Sequence, residues 1–309
     1  KSRILGDVAP GAAPKAEVTR GTVAGLEGVG IERLVLHVEP GIVVPMLLLM
    51  PRGPAGRPAG CVVGLAQAGK GAYLQQRAKE VAELLAGGIA VCLPDLRGTG
   101  ETEPEGSRHR WGPITAHSSA ELMLGGTMVG LRLRDLRSVL RYLKGRDDID
   151  PKRIALWGES FAAPNEPDAE FRMPRNVDGR PRWAEPLGGL LALLGALFED
   201  EVAAVCVRGG LSDFASVLDS QFVCIPHDVV VPDALCAGDL PGLAAALVPR
   251  PLRLERLVDG LNRRRDPQSA GRLYQAADQA YRRAGAAERI VIGDPSTSAA
   301  SWLAEMLRS

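Results

Sequence analysis

Residues 31–39 (Ile-Glu-Arg-Leu-Val-Leu-His-Val-Glu) alternate apolar and polar side chains, the pattern of a strand with one buried face. Pro40-Gly41 makes a turn and residues 43–50 return as a second strand, so the pair reads as an antiparallel hairpin. Short apolar runs then recur at 61–65, 89–93, 153–157 and 202–207, separated by helical stretches near 73–86, 119–144 and 187–198. In the longest of these, Val129, Leu133, Leu136, Leu140 and Leu143 follow one another at steps of four and three. That spacing makes one apolar stripe facing a sheet. The pattern continues with a helix over 239–247, a strand over 251–258, a helix near 267–284, a strand at 289–292 and a closing helix over 298–307. Residues 1–20 are rich in Gly, Pro and Ala and read as an irregular lead-in. Strands alternating with helices after an opening hairpin predict an α/β fold: a mostly parallel sheet covered on both faces, in a single domain over residues 1–309.

Composition removes several function classes. Lys+Arg and Asp+Glu both number 37, so charge gives no reason to expect nucleic acid as a partner. No run of about 18 apolar residues marks a membrane span, and the expectation is a soluble protein with no membrane partner. The chain opens at Lys1 rather than methionine, which is compatible with a removed signal peptide, and hence export, or with a preceding domain. Of the five cysteines, Cys61, Cys92 and Cys206 sit in apolar runs and read as buried thiols; Cys224 and Cys236 complete the set, without CxxC pairing. No Cys/His cluster suggests a structural zinc site, and no cofactor is expected.

The candidate chemistry centres on Ser160. The apolar run Ile154-Ala-Leu-Trp157 leads into Gly158-Glu159-Ser160, most of a G-x-S-x-G nucleophile elbow, with Ala162 in the last position. In a parallel sheet, ligands bind at the carboxyl ends of the strands. Gln67, Gly69, Lys70 and Gly71 follow strand 61–65, and their backbone amides, with that of Phe161, could hold an oxyanion; an ordinary glycine-rich turn is the alternative. Asp95 and Arg97 follow strand 89–93 and could rim a site or pair with each other to brace the loop. Asp259 follows the late strand, where an orienting acid belongs, although Asp-Gly is also a turn. Asp228 is a second choice for that acid. No histidine lies beyond His227, which leaves His227 or His117 as a general base, or no catalytic histidine at all; His37 reads as a strand surface residue. Residues 163–186, with Asp168, Arg172, Arg175, Asp178, Arg180, Arg182 and Trp183, separate Ser160 from the helix that should follow it. They read as a lid-like insertion that supplies arginines and Trp183 to a substrate, or as one that disables the elbow.

Four segments carry a resemblance: Leu-Pro-Asp-Leu-Arg-Gly-Thr-Gly at 93–100, Gly-Leu-Arg-Leu-Arg-Asp-Leu-Arg at 130–137, Asp-Pro-Lys-Arg-Ile-Ala-Leu-Trp-Gly at 150–158, and Asp-Leu-Pro-Gly-Leu-Ala-Ala-Ala-Leu-Val-Pro-Arg-Pro at 239–251. With them, the chain resembles the α/β-hydrolase superfamily, and within it the bacterial acetyl xylan esterase and glucuronoyl esterase-like group. The resemblance implies a serine nucleophile at Ser160, a triad acid matching Asp259 in position, and a histidine in the final loop, where this sequence has none. It implies a small-molecule or carbohydrate ester as substrate. Two functions follow: a serine carboxylic-ester hydrolase, or a hydrolase-fold module of a larger protein that binds without turnover.

Overall fold

The structure, a computed structural model, describes residues 2–21, 28–51, 57–106, 112–169, 171 and 181–308. Its strands are β1 (Lys15–Gly21), β2 (Val29–Glu39), β3 (Ile42–Pro51), β4 (Ala59–Ala66), β5 (Ile89–Pro94), β6 (Ile149–Glu159), β7 (Val202–Arg208), β8 (Leu252–Glu255) and β9 (Ile290–Ile292). Among the described residues they form one sheet in the order β1-β2-β3-β5-β4-β6-β7-β8-β9. The first three pairings are antiparallel. From β5 onward every pairing is parallel, so the mixed sheet read from the sequence is the one observed.

The helices are α1 (Ser2–Leu5), α2 (Gly69–Gln76), α3 (Ala78–Ala86), α4 (Pro113–Met123), α5 (Met128–Lys144), α6 (Leu187–Phe198), α7 (Asp239–Ala245), α8 (Pro267–Leu273), α9 (Gln275–Arg283) and α10 (Ala299–Met306). One core packs α5, α6, α7 and α9 against one face of the sheet. A second packs α2, α3 and α10 against the other. The α5 stripe is buried at all five positions, Val129, Leu133, Leu136, Leu140 and Leu143. Helix α6 is apolar around its whole circumference and buried from Leu187 to Ala196, as befits a helix enclosed by sheet and neighbours. No described helix is long and apolar enough to cross a membrane.

Five expectations are corrected. Residues 15–21 are not irregular but form β1, an edge strand paired with β2 from Lys15↔His37 to Gly21↔Ile31. Its side chains are mostly exposed, so backbone pairing holds it and no hydrophobic alternation announces it. The helix expected over 119–144 divides at 124–127, where Thr127 caps α5 by accepting from Gly130 N at 2.9 Å. The stretches near 73–86 and 267–284 likewise divide, at Arg77 and Tyr274. The strand expected to Val258 stops at Glu255, because Arg256 takes the left-handed conformation (φ 57°).

The sheet and α6 meet where no side chain fits. A Cβ on Gly158 would lie 2.4 Å from the Gly188 carbonyl oxygen and 2.6 Å from Gly189 Cα. A Cβ on Gly188 would lie 2.2 Å from the Leu65 carbonyl oxygen. Backbone therefore touches backbone at the carboxyl ends of β4 and β6. Gly158→Ala is expected to lower unfolding free energy by about 3 kcal/mol or more through overpacking. Gly71→Ala, in α2 with nothing within 4 Å of its Cβ, is expected to be neutral or to stabilise by about 0.5–1 kcal/mol. Denaturant unfolding of both variants checks the contrast.

Candidate active site

Ser160 does not open a helix. Its N–H donates to the Arg208 carbonyl at 3.0 Å, extending the β6–β7 ladder by one residue past Glu159. The helix that abuts β6 is α6, which begins at Leu187. Residues 160–169 lead away from the strand and residues 181–186 lead into the helix. Two buried asparagines close the base of this excursion. Asn165 Nδ2 donates to the carbonyls of Arg182 (2.9 Å) and Leu261 (2.8 Å), and its Oδ1 accepts from Arg182 N at 2.8 Å. Asn262 Nδ2 donates to the Ala163 carbonyl at 3.0 Å. The excursion is thereby tied to the loop after β8. Arg172, Arg175, Asp178 and Arg180 lie outside the described residues.

A buried charge network underlies Ser160. Glu159 is fully buried and accepts from Arg77 Nε and Nη2 at 2.9 and 3.0 Å. Arg208 approaches it at 3.5 Å, grips Glu80 with two hydrogen bonds of 2.8 and 3.0 Å, and bonds Glu255, which also holds Arg253. Burial pushes the Glu159 carboxyl above its ordinary range, more than the bond from Arg77 draws it down. For Glu80 burial also acts upward, but the bonds and charge of Arg208 outweigh it and the carboxyl sits below its ordinary range. Arg77 lies over the Phe161 ring, 5.1 Å from its centroid, and Tyr73 meets the same ring edge-on at 5.4 Å. The Phe161 side chain is thus fixed, and its N–H donates to Glu185 Oε2 at 3.1 Å.

The residues expected to act together fall into separate surroundings. Ser160 lines a cavity of about 210 Å³ with Arg77, Ala163, Pro164, Arg208, Arg256 and Arg264. Gln67 lines another, of about 190 Å³, with Gly98, Thr115, Trp183, Glu185 and Asp228; its Oε1 is buried without a partner among the described residues. The Phe161 amide, a candidate oxyanion donor, is engaged by the Glu185 carboxylate. His227 begins a short 3₁₀ turn and its Nδ1 lies 3.0 Å from Ser118 Oγ on α4, with no bond to Ser160. Asp259 Oδ1 accepts from the amides of Leu261 and Arg263 at 2.9 and 2.8 Å, the turn role. Asp228 is buried and paired with Arg132 at 2.6 Å. His117 is exposed on α4, and His37 pairs with Glu17 across β1 and β2. Asp95 and Arg97 do not pair with each other: Asp95 holds Lys70 (2.6 Å), whereas Arg97 holds Asp135 and Glu39. Among the described residues no imidazole lines the Ser160 cavity.

Sequence reasoning missed Glu185, Arg77 and Arg256. The signal for Glu185 was present, since Gly188-Gly189 before an apolar run marks where a helix closes on a strand. Arg77 and Arg256 had no local signal, because their neighbours come from other strands.

The arrangement matches solved structures over nearly its whole length. The fold is the α/β-hydrolase fold. An acetyl xylan esterase candidate from Bacteroides fragilis superposes with a TM-score of 0.65 at 15% identity, covering 91% of this chain and 69% of that one. Acetyl xylan esterase 1 from a Thermoanaerobacterium species gives 0.57 at 14% identity, covering 96% and 88%. A glucuronoyl esterase from Teredinibacter turnerae gives 0.53 at 12% identity, covering 97% and 79%. No protein-family model matches the sequence, nor does any curated protein.

Glu80 provides a pH test of the network. Its folded-state carboxyl lies below the ordinary range, so it stabilises the fold above the unfolded-state pKa, and that stability is lost as pH falls through the folded-state value. Glu80→Gln is expected to cost about 1.5–3 kcal/mol at pH 7. The difference from wild type is expected to shrink toward zero as the pH drops below the carboxylate range, read by denaturant unfolding at a series of pH values.

Proposed function

We propose that this chain is a carboxylic-ester hydrolase in which Ser160 attacks the ester carbonyl and forms an acyl-enzyme as the ester C–O bond breaks, the alcohol leaving with the proton that the base took from Ser160 and water then releasing the acid. The observation that carries the reading is the position of Ser160: it leaves β6 at the carboxyl edge of the sheet, lines an open cavity, and its hydroxyl has no hydrogen-bond partner among the described residues. The fold neighbours named above support ester chemistry, and a carbohydrate-linked acyl or methyl ester is the substrate class this reading takes from them. The base it requires is His227. To serve, that ring exchanges Ser118 Oγ for Ser160 Oγ when substrate is bound, a rearrangement of the kind catalytic hydrogen bonds undergo between free and bound states. Asp259 is the acid this reading places behind His227, with Gln67 and Phe161 as oxyanion donors. Lewis-acid or redox chemistry forms no part of it.

A second reading is favoured by the Phe161–Glu185 bond. A carboxylate already occupies the amide that an oxyanion needs, and like charge opposes the developing negative oxygen. On that reading the chain is a hydrolase-fold binding domain. Hydrolysis of a short-chain aryl ester separates the two. The hydrolase reading expects turnover above the uncatalysed rate, with losses of about 10³-fold or more in both Ser160→Ala and His227→Ala. Full activity in His227→Ala removes that base, and background rates in wild type across acetyl, uronate-methyl and aryl esters leave the binding reading.

A further inference from the structure

We infer that the Ser160 cavity is a binding site for an oxyanion, a carboxylate or phosphate group on a small ligand, held by Arg256 together with the Ser160 hydroxyl. Four arginines, Arg77, Arg208, Arg256 and Arg264, line this cavity, against one carboxylate, Glu159. Most of that charge is spent internally. Arg77, Arg208 and Arg253 are matched by Glu80, Glu159 and Glu255 through the contacts already described. Arg264 is matched by Asp294 at 2.5 Å. Arg256 is what remains. It is exposed, and among the described residues it makes no ion pair and no hydrogen bond. The Ser160 hydroxyl on the same cavity wall is likewise unengaged.

The backbone of Arg256 gives an independent reason to look for a ligand here. Its φ of 57° is the left-handed conformation, which costs an L-residue other than glycine or asparagine free energy and is concentrated at functional sites. Glycine would take this position without strain, yet the sequence places the side chain with the longest donor fork there, between Glu255 in the charge network and buried Leu257. A guanidinium offers paired N–H donors that match the two oxygens of a carboxylate or phosphate. The cavity walls, built on buried salt bridges that cannot reorient freely, present this charge with little competition from neighbouring carboxylates. The inference concerns binding alone and holds whether or not Ser160 turns over an ester. If it does, the oxyanion is a substituent of the substrate beside the ester.

Calorimetric titration of the full chain with inorganic phosphate, acetate and uncharged acetamide tests this. Binding of phosphate or acetate, with acetamide at least about tenfold weaker, is the expected result, and affinity falls as salt rises. Tighter phosphate points to a phosphate ester, tighter acetate to a carboxylate ligand. Arg256→Gly is the informative variant, because glycine relieves the left-handed strain. It is expected to unfold at the same or a higher temperature than wild type while anion affinity falls at least about tenfold, and Arg256→Lys is expected to retain part of it. Binding of neither anion by wild type, equal binding of acetamide and acetate, or unchanged affinity in Arg256→Gly would overturn the proposal. Anion affinity is read without turnover, so an inactive protein that binds phosphate, or an active one that does not, distinguishes the failure of this inference from that of the hydrolase reading.

Discussion

Everything at the carboxyl edge of the sheet depends on the contact between Gly158 and Gly188. With no Cβ on either residue, α6 lies directly on the ends of β4 and β6, its backbone against theirs. The helix is almost wholly apolar, so burying it supplies much of the core on that face of the sheet. Strand end and helix start are thereby brought together although residues 160–186 separate them in sequence. The polar, proline-rich composition of that segment suits a surface path.

That break between strand and helix sets the chemistry available. In a nucleophile elbow the serine opens the helix, and the amide after it points toward the reacting carbonyl. Here Ser160 instead continues the strand, and Glu185 reaches the Phe161 amide from just before α6. Beneath them lies a bridged set of three glutamates and three arginines drawn from the junction of α2 and α3, from α3, and from β6, β7 and β8. Such a network specifies geometry more than it adds stability, because desolvating six charges offsets much of their attraction. Its consequence is positional: it fixes Phe161, fills the floor under Ser160 and leaves Arg256 as the charge that faces outward.

The fold was largely legible in the sequence because burial leaves periodic marks. The strand runs at 61–65, 89–93, 153–157 and 202–207 and the helix over 187–198 all appear where the apolar pattern put them. What lacked a mark was missed. Strand β1 is exposed along most of its length, and the burial of Arg253 and Glu255 as partners within β8, itself expected as a strand, left no apolar mark. The candidate site was legible only in part. Ser160 was found from the glycine before it and the strand behind it. The partners of Ser160, His227 and Asp95 are set by which strand ends lie side by side, and no spacing along the chain encodes that. The Asp95–Lys70 pair joins the turn after β5 to the start of α2, which follows β4, its neighbour in the sheet, across 25 residues of sequence.

The claim on which the account turns is that Glu185 engages the Phe161 amide. Amide resonances of the wild type and of Glu185→Ala, compared by NMR, read it directly. The account expects the Phe161 amide proton to lie downfield and exchange slowly in wild type, and to move upfield and exchange faster once the carboxylate is removed. A Phe161 resonance that is unchanged by Glu185→Ala would contradict it.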